Sequence, residues 1–508
     1  MKTRPARRRM RAGLLALLAV AVLLGVSAPA DAGLTWPTQL TAVPGPPRTV
    51  EPHFFGLNGA RIISQDNAAQ WHDPVFTQAV TALSPGFIRV QGGTTSQWLD
   101  WRTGLFDQSA DSPYVGANAG RHPILMSDWA DLLRATGAQP VYDVNVVTST
   151  PADQVAMLHA AQGLGMPVKY VELGNELYIG DKTYKKLYPT GADYAQAMNR
   201  WIDVLRAAFP GLRIAVSAAD TSSTLFDGFY GKRYTSWDDL LYANIHGADA
   251  VALHPYWFPT PLDGATASAG SGEAACDAFS TKVLAKIPAG LTAWLTEYNQ
   301  MDIPFTEIGV PSGAIPGAKQ TWAVGLSLAA FSLQALTDPR IELAIVHAAL
   351  NGEPTAEATQ SGGNMEVEAL LADGSGGSVR FGRTAENYAM TPLFDAVRDQ
   401  GAGPVTVRSL TASSGPATLS TLWSPFGLDA VTGVTGAVIG DRVVLVNLTG
   451  LAVRVTVPGI AGDDATVLTA PPGTRPAFRP GDTIGSTTAG VGSTVVLPAY
   501  AEAVIAPD

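Results

Sequence analysis

Eight short apolar or alternating runs, separated by stretches with helical patterning, constrain this chain more than any other feature. In order they are His53–Asn58, Gly86–Gln91, Pro140–Asn145, Val168–Glu176, Arg213–Asp220, Asp249–Tyr256, Ala293–Asn299 and Ile341–His347. Strand-like runs that alternate with helix-like ones predict repeated β/α units around a parallel sheet. Eight such units close a (β/α)8 barrel. The intervening helices are expected over Pro74–Leu83, Ser127–Thr136, Ala152–Leu164, Gly191–Ala208 and Ala318–Leu336. A doubly wound open sheet alternates in the same way, but it usually carries a glycine-rich phosphate turn after its first strand, and FFGLNGAR lacks that spacing.

Nearly every run ends on polar or aromatic groups: Asn58, Arg89 with Gln91, Asp143 with Asn145, Asn175 with Glu176, Asp220, His254 with Tyr256, Glu297 with Asn299, and His347. In a barrel those ends share one face, the face that carries active sites. The pattern therefore gathers most candidate chemical groups around one mouth. No internal repeat is evident.

The domain plan follows from the flanks. After Met390 the chain turns to short β-rich segments with Gly, Pro, Ser and Thr turns, including DRVVLVNL, VRVTVPG and STVVLPAYAEAVIA. These predict an all-β sandwich over 395–508, completed by a strand from 33–52, with the (β/α)8 barrel over 53–394. Such a domain can bind a ligand or brace the barrel, and the absence of an aromatic cluster there favours bracing. Asn351–Tyr388, rich in Gly and acids, is expected to form a long loop or hairpin over the mouth.

At the front, Lys2, Arg4, Arg7, Arg8, Arg9 and Arg11 precede an apolar run from Leu14 to Val26 and then Ala30-Asp31-Ala32. This reads as an export signal cleaved after Ala32, giving a secreted protein with no stable membrane association. The rival, an uncleaved anchor, would need a run of about 20 apolar residues. Cleavage removes those six basic residues and Asp31, leaving 27 basic against 43 acidic residues, a net charge of −16. That balance argues against nucleic acid and against long polyanions. Cys276 is the only cysteine, so an intramolecular disulfide is impossible and a cysteine-built metal site is not expected.

Two motifs carry the chemistry, VELGNELY with Asn175 and Glu176, and WLTEYN with Glu297, 121 positions further on. Retaining glycoside cleavage needs one carboxyl as acid/base and a second, about 5–5.5 Å away, as nucleophile. Glu176 is the candidate acid/base, with Asn175 beside it to hold the sugar hydroxyl next to the reacting carbon. Glu176 could instead be a carboxylate paired with a structural base at a strand end. Glu297 is the candidate nucleophile, which must stay ionised, and Arg89 and Tyr256 are the candidate groups to hold it so. Arg89 could also lock the barrel against another acid, and Tyr256 could be a packed aromatic. Trp98, Tyr178, Trp257 and Tyr298 are candidate stacking platforms for sugar rings, and each taken alone reads more readily as core. His254 and His347, with Asn58 and Asn145 at the rim, are candidates to bond sugar hydroxyls. The seven histidines make no HExxH spacing, and no GxSxG motif occurs, so metal and serine mechanisms lack support.

At these residues the chain resembles the glycoside hydrolases of clan A, with Asn175-Glu176 on the fourth run and Glu297 on the seventh. The resemblance covers about residues 50–390 and implies a (β/α)8 barrel, an Asn-Glu acid/base, a Glu nucleophile, and Arg89, His254 and Tyr256 in supporting places. Within the clan, Ser84–Leu99 and VELGNELY resemble the heparanase and β-glucuronidase group, glycoside hydrolase family 79. WLTEYN is similar to the β-xylosidase, iduronidase and arabinofuranosidase families. The expectation is therefore a secreted retaining O-glycoside hydrolase without metal or organic cofactor, acting on a glycoside, oligosaccharide or polysaccharide. A β-glucuronidase is the first reading of its sugar and a β-xylosidase or α-L-arabinofuranosidase the alternative. A glycan-binding protein without turnover and a transglycosidase stand beside it.

Overall fold

The computed structural model describes residues 39–59, 74–119, 123–220, 231–257, 264–300, 320–349, 370–373, 380–412, 417–418, 430–459, 463–477 and 481–507. The export segment and most of Asn351–Tyr388 lie outside them.

Each of the eight runs supplies one barrel strand: β1 (Phe55–Asn58), β2 (Phe87–Val90), β3 (Gln139–Val144), β4 (Tyr170–Leu173), β5 (Arg213–Ser217), β6 (Ala250–Leu253), β7 (Thr292–Leu295) and β8 (Ile341–Val346). Every neighbouring pair is parallel, and β8 pairs β1 to close the cylinder. Alternation along the strands decides what fills it. Phe87, Val141, Tyr170, Ala215, Ala252, Trp294 and Ile345 form one buried apolar cluster inside the barrel. Two residues later on the same strands, or just past their ends, come Arg89, Asp143, Glu172, Ser217, His254, Thr296 and His347, all buried. A step of two returns a side chain to the same face about 6.6 Å higher, so a polar layer lies on the apolar plug toward the C-terminal mouth.

The outer helices include Pro74–Thr81, Met126–Thr136, Pro151–Gly163, Gly191–Ala208 and Trp322–Thr337. Their starts carry local signals. Thr150 accepts from the Asp153 backbone N–H with Pro151 in the first turn, and Thr190 and Asp193 cap each other reciprocally.

One segment departs from expectation. Phe258–Cys276 reads as a mouth loop, yet most of it belongs to a helix over Gly264–Lys282. Its run of Gly, Ala, Ser and Thr lacks an apolar stripe because tertiary contact replaces it. Ser271 Oγ meets Ser327 Oγ at 3.0 Å, and a Cβ on Gly272 would overlap the Ser327 carbonyl oxygen, so the two helices approach almost backbone to backbone.

The β-rich tail forms a ten-stranded sheet among the described residues. Its order is Gly485–Val491, Asp463–Thr469, Ala501–Ala506, Arg442–Asn447, Val434–Ile439, Val405–Ala412, Gln39–Pro44, Val453–Thr456 and Thr494–Leu497, with Arg48–Val50 also on Val405–Ala412. Leu40, Ala42, Leu445, Val455, Leu497, Ala503 and Ile505 enclose a core of its own between two leaves. Val407, Ile439, Val444 and Val446 face the other way and join the barrel's core. Across that seam the Trp322 indole donates to the Tyr500 carbonyl at 2.6 Å, and Glu273 accepts from Thr432 Oγ1 at 2.7 Å. The sandwich thus contacts both of the closely packed helices.

Candidate active site

Arg89 organises the mouth. Rising from β2 with no solvent exposure, it binds both oxygens of Glu172 at 2.8 and 2.9 Å and reaches Glu297 Oε1 at 2.6 Å. It also donates to Asn175 Oδ1 at 2.8 Å and lies 3.4 Å from Asp143 Oδ2. Burial works against its charge, but Glu172, Asp143 and Glu297 raise its pKa further than burial lowers it. Asp143 is raised well above the usual carboxyl value by burial, against the pull of Arg89.

Glu297 follows β7 and is covered on both oxygens, because the Tyr256 hydroxyl donates to Oε2 at 2.6 Å. Nitrogens of His254 and His347 each lie 3.8 Å from that same oxygen. Burial alone would raise its pKa; His254, His347, Arg89 and the Tyr256 bond together hold it well below the usual carboxylate range. Glu297 is therefore ionised at neutral pH.

Glu176 occupies a different setting. The chain leaves β4 through Gly174 at φ 81° and reaches Glu176 at φ 46°, a left-handed conformation that costs a non-glycine residue energy and is held by its surroundings. Its side chain is 21% exposed, whereas that of Glu297 is 8% exposed. Oε1 of Glu176 receives the Tyr178 hydroxyl at 3.2 Å and lies 3.0 Å from His254 Nδ1. Burial pulls the His254 pKa down, but Glu297, Glu172 and Glu176 around it push it up to about 10.

One carboxylate oxygen of Glu176, one of Glu297 and a ring nitrogen of His254 all lie within 4.8 Å of one another. Both oxygens of Glu297 already have donors. The group is thus neutralised by the chain's own cations and hydroxyls, and fits a reacting carboxylate pair better than a vacant cation cage.

Of the candidate residues, Glu176, Glu297, Asn175, Arg89, His254 and Tyr256 converge, and Asn175 also donates to Thr94 Oγ1 at 3.2 Å. Asn58 lies at the end of β1, fully buried, its amide 3.5 Å from the Thr296 carbonyl. Asn145 stands aside, closing a turn by accepting from the Val147 and Thr148 N–H groups and lining a separate cavity of about 510 Å³. Trp98 and Tyr298 are not platforms but core, at 2% and 0% exposure. Alternation explains Tyr298: the residue after Glu297 turns to the helix layer, where it stacks on Phe331 and its hydroxyl meets Ser332 at 2.8 Å. Trp257 likewise stacks on Phe331, and Tyr178 is buried against Tyr234 while serving Glu176.

Sequence reasoning missed Glu172 and Thr296. The Thr296 hydroxyl donates to Glu172 Oε1 at 3.1 Å and lies 3.0 Å from His254 Nε2. The signal was an acid inside the apolar run of β4, two positions after the inward-facing Tyr170.

No protein-family model matches the chain, and no curated protein matches it. Its fold does match solved structures. An α-L-arabinofuranosidase from Thermotoga maritima, solved with arabinose, superposes with a TM-score of 0.66 at 14% identity, over 92% of this chain and 99% of that one. A family 51 α-L-arabinofuranosidase from Bifidobacterium longum gives 0.65 at 14%, over 93% and 99%. A 4-O-α-L-rhamnosyl-β-D-glucuronidase from Fusarium oxysporum gives 0.55 at 15%, over 92% and 100%. The chain thus shares the barrel-and-sandwich fold of these glycoside hydrolases.

Proposed function

We propose that this chain is a retaining O-glycoside hydrolase working by double displacement. The observation that carries the reading is the approach of the Glu176 and Glu297 oxygens to within 4.8 Å. Retaining enzymes hold their carboxyls about 5–5.5 Å apart, whereas inverting ones leave about 6.5–9.5 Å for a water. Environment assigns the roles. Glu297, ionised and aimed by Arg89 and Tyr256, attacks the anomeric carbon while Glu176 protonates the departing oxygen. Glu176 then takes a proton from water, which displaces Glu297 from the glycosyl-enzyme. Asn175, its carbonyl held by Arg89, directs its amide to the sugar hydroxyl beside the reacting carbon, a bond that strengthens as charge develops. Following the anomer first released by NMR tests the scheme, since initial inversion would exclude it.

For the sugar we infer an α-L-arabinofuranoside or another neutral glycoside rather than a β-glucuronide. The arabinofuranosidases among the similar folds support this, as does the engagement of Arg89 by four side chains with no exposed surface for a uronate. A panel of aryl glycosides with a Glu297→Gln control decides it: a hit lost in the control names the sugar, and activity confined to the glucuronide refutes the inference. Export through cleavage after Ala32 and a bracing role for the sandwich belong to the same proposal. Among the described residues no helix is long and apolar enough to cross a membrane.

A further inference from the structure

We propose that Glu172, acting through Thr296, is a positioning residue that fixes which nitrogen of His254 carries a hydrogen and thereby holds a proton on the link between His254 and Glu176. The inference deepens the glycosidase reading and rests on it. Hydrogen-bond accounting carries the argument, beginning at Arg89. Its Nε and one terminal nitrogen grip the two oxygens of Glu172 at 2.8 and 2.9 Å, with both side chains fully buried. A fork of that kind spends two N–H donors on the two oxygens, so Glu172 stands there as an acceptor. The Thr296 hydroxyl, 3.1 Å from Glu172 Oε1, must therefore direct its single hydrogen there. Its oxygen is left to accept from His254 Nε2 at 3.0 Å, so Nε2 carries a hydrogen.

Nδ1 then faces Glu176 Oε1 at 3.0 Å with one proton between them. Imidazolium beside carboxylate and neutral imidazole beside carboxylic acid are two placements of that same proton. Among the described residues the carboxylates facing His254 are Glu176, Glu172 at 3.8 Å and Glu297 at 3.8 Å, and all of them favour keeping it. The Tyr178 hydroxyl also reaches Oε1, so neither contact occupies the other oxygen of Glu176. In the first displacement the link loses its proton to the departing oxygen, and in the second the attacking water returns one. Glu172 and Thr296 exchange nothing; they orient the ring.

Thr296→Val keeps the side-chain shape and cuts the relay while leaving the Arg89–Glu172 pair intact. The mature protein with ¹⁵N-labelled histidine gives the first readout, His254 being assigned by the signal lost in His254→Gln. Wild type should show a hydrogen on Nε2 bonded to Thr296, and the variant should lose that bond, shifting the Nε2 signal and lowering the His254 titration relative to wild type while the three carboxylates still hold it above an ordinary histidine. The second readout is kcat/KM on two aryl glycosides of the sugar identified. General acid catalysis contributes about 10²–10⁴-fold, so the variant should lose about 10- to 100-fold on a poor leaving group and less than about threefold on dinitrophenolate, which needs no acid. An unchanged His254 spectrum, or equal losses on both substrates, overturns the proposal. If wild type cleaves no glycoside, the glycosidase reading fails, while the spectra still decide the relay.

Discussion

Replacing Tyr256 by Phe isolates what the nucleophile gains from one hydroxyl. The ring remains, including its edge contact with His347 at 6.1 Å between centroids, and the 2.6 Å donor to Glu297 Oε2 is lost. A hydrogen bond to a charged group contributes about 1.5–3 kcal/mol. At 1.36 kcal/mol per pKa unit, that loss raises the Glu297 pKa by about one to two units. A raised pKa moves the acid limb of the kcat/KM profile to higher pH by the same amount. Because His254, His347 and Arg89 still act on it, the limb should stay within or below the ordinary carboxylate range. The two chemical steps respond differently. In the second, Glu297 departs as a carboxylate and needs the donor most, so glycosyl-enzyme hydrolysis should slow by about 10- to 100-fold. The first step consumes the same charge and should suffer less. On an activated aryl glycoside, kcat and KM should therefore fall together, with a pre-steady-state burst of aglycone. Equal losses in kcat and kcat/KM with an unmoved acid limb would show that Tyr256 only shapes the pocket.

Removing the acid/base with Glu176→Ala should lower kcat/KM on poor leaving groups by about 10²–10⁴-fold, and azide should restore turnover of activated substrates as a glycosyl azide of retained configuration, read by NMR. Gly272→Ala should destabilise the fold by about 1–3 kcal/mol in urea, because the added methyl overlaps the Ser327 carbonyl; an unchanged midpoint would mean that the helices are less tightly apposed. Glu502 is buried with neither oxygen bonded among the described residues, and burial raises its pKa well above the ordinary value. The folded chain therefore keeps a proton that the unfolded chain releases above about pH 4.3, and stability declines as pH rises from there toward the folded value. Glu502→Gln should match wild-type Tm near that pH and exceed it at neutrality; parallel Tm curves would refute this.

The barrel was legible because both of its periodicities are written in side chains: runs that alternate on a two-residue repeat, and intervening segments such as Gly191–Ala208 with an apolar face. Glu176, Glu297, Arg89 and Tyr256 were legible because strand ends in a barrel share a mouth. What escaped depends on contacts distant in sequence. Gly264–Lys282 carries little helical signal of its own, since the facing Trp322–Thr337 supplies the reason for its small residues. Trp98 and Tyr298 have the composition of sugar platforms, and only the direction of each side chain places them in the core. Glu172 was hidden for the opposite reason. An acid within an apolar run looks like an interruption until Arg89, on another strand, is known to face it.

The strand Gln39–Pro44 lies between Val405–Ala412 and Val453–Thr456, with Ala42 opposite Ala412 and Thr41 opposite Thr456. On the ribosome this strand is made first, while its partners appear hundreds of residues later, so the sheet can knit together only after the entire barrel has been synthesised. The tail is consequently not a detachable module. A fragment beginning near residue 395 would expose unpaired edges on Val405–Ala412 and Val453–Thr456 where the missing strand belongs, which is a template for aggregation. Supplying residues 39–50 as a separate peptide, or tethering them ahead of that fragment, is the minimal way to obtain the sandwich without the barrel.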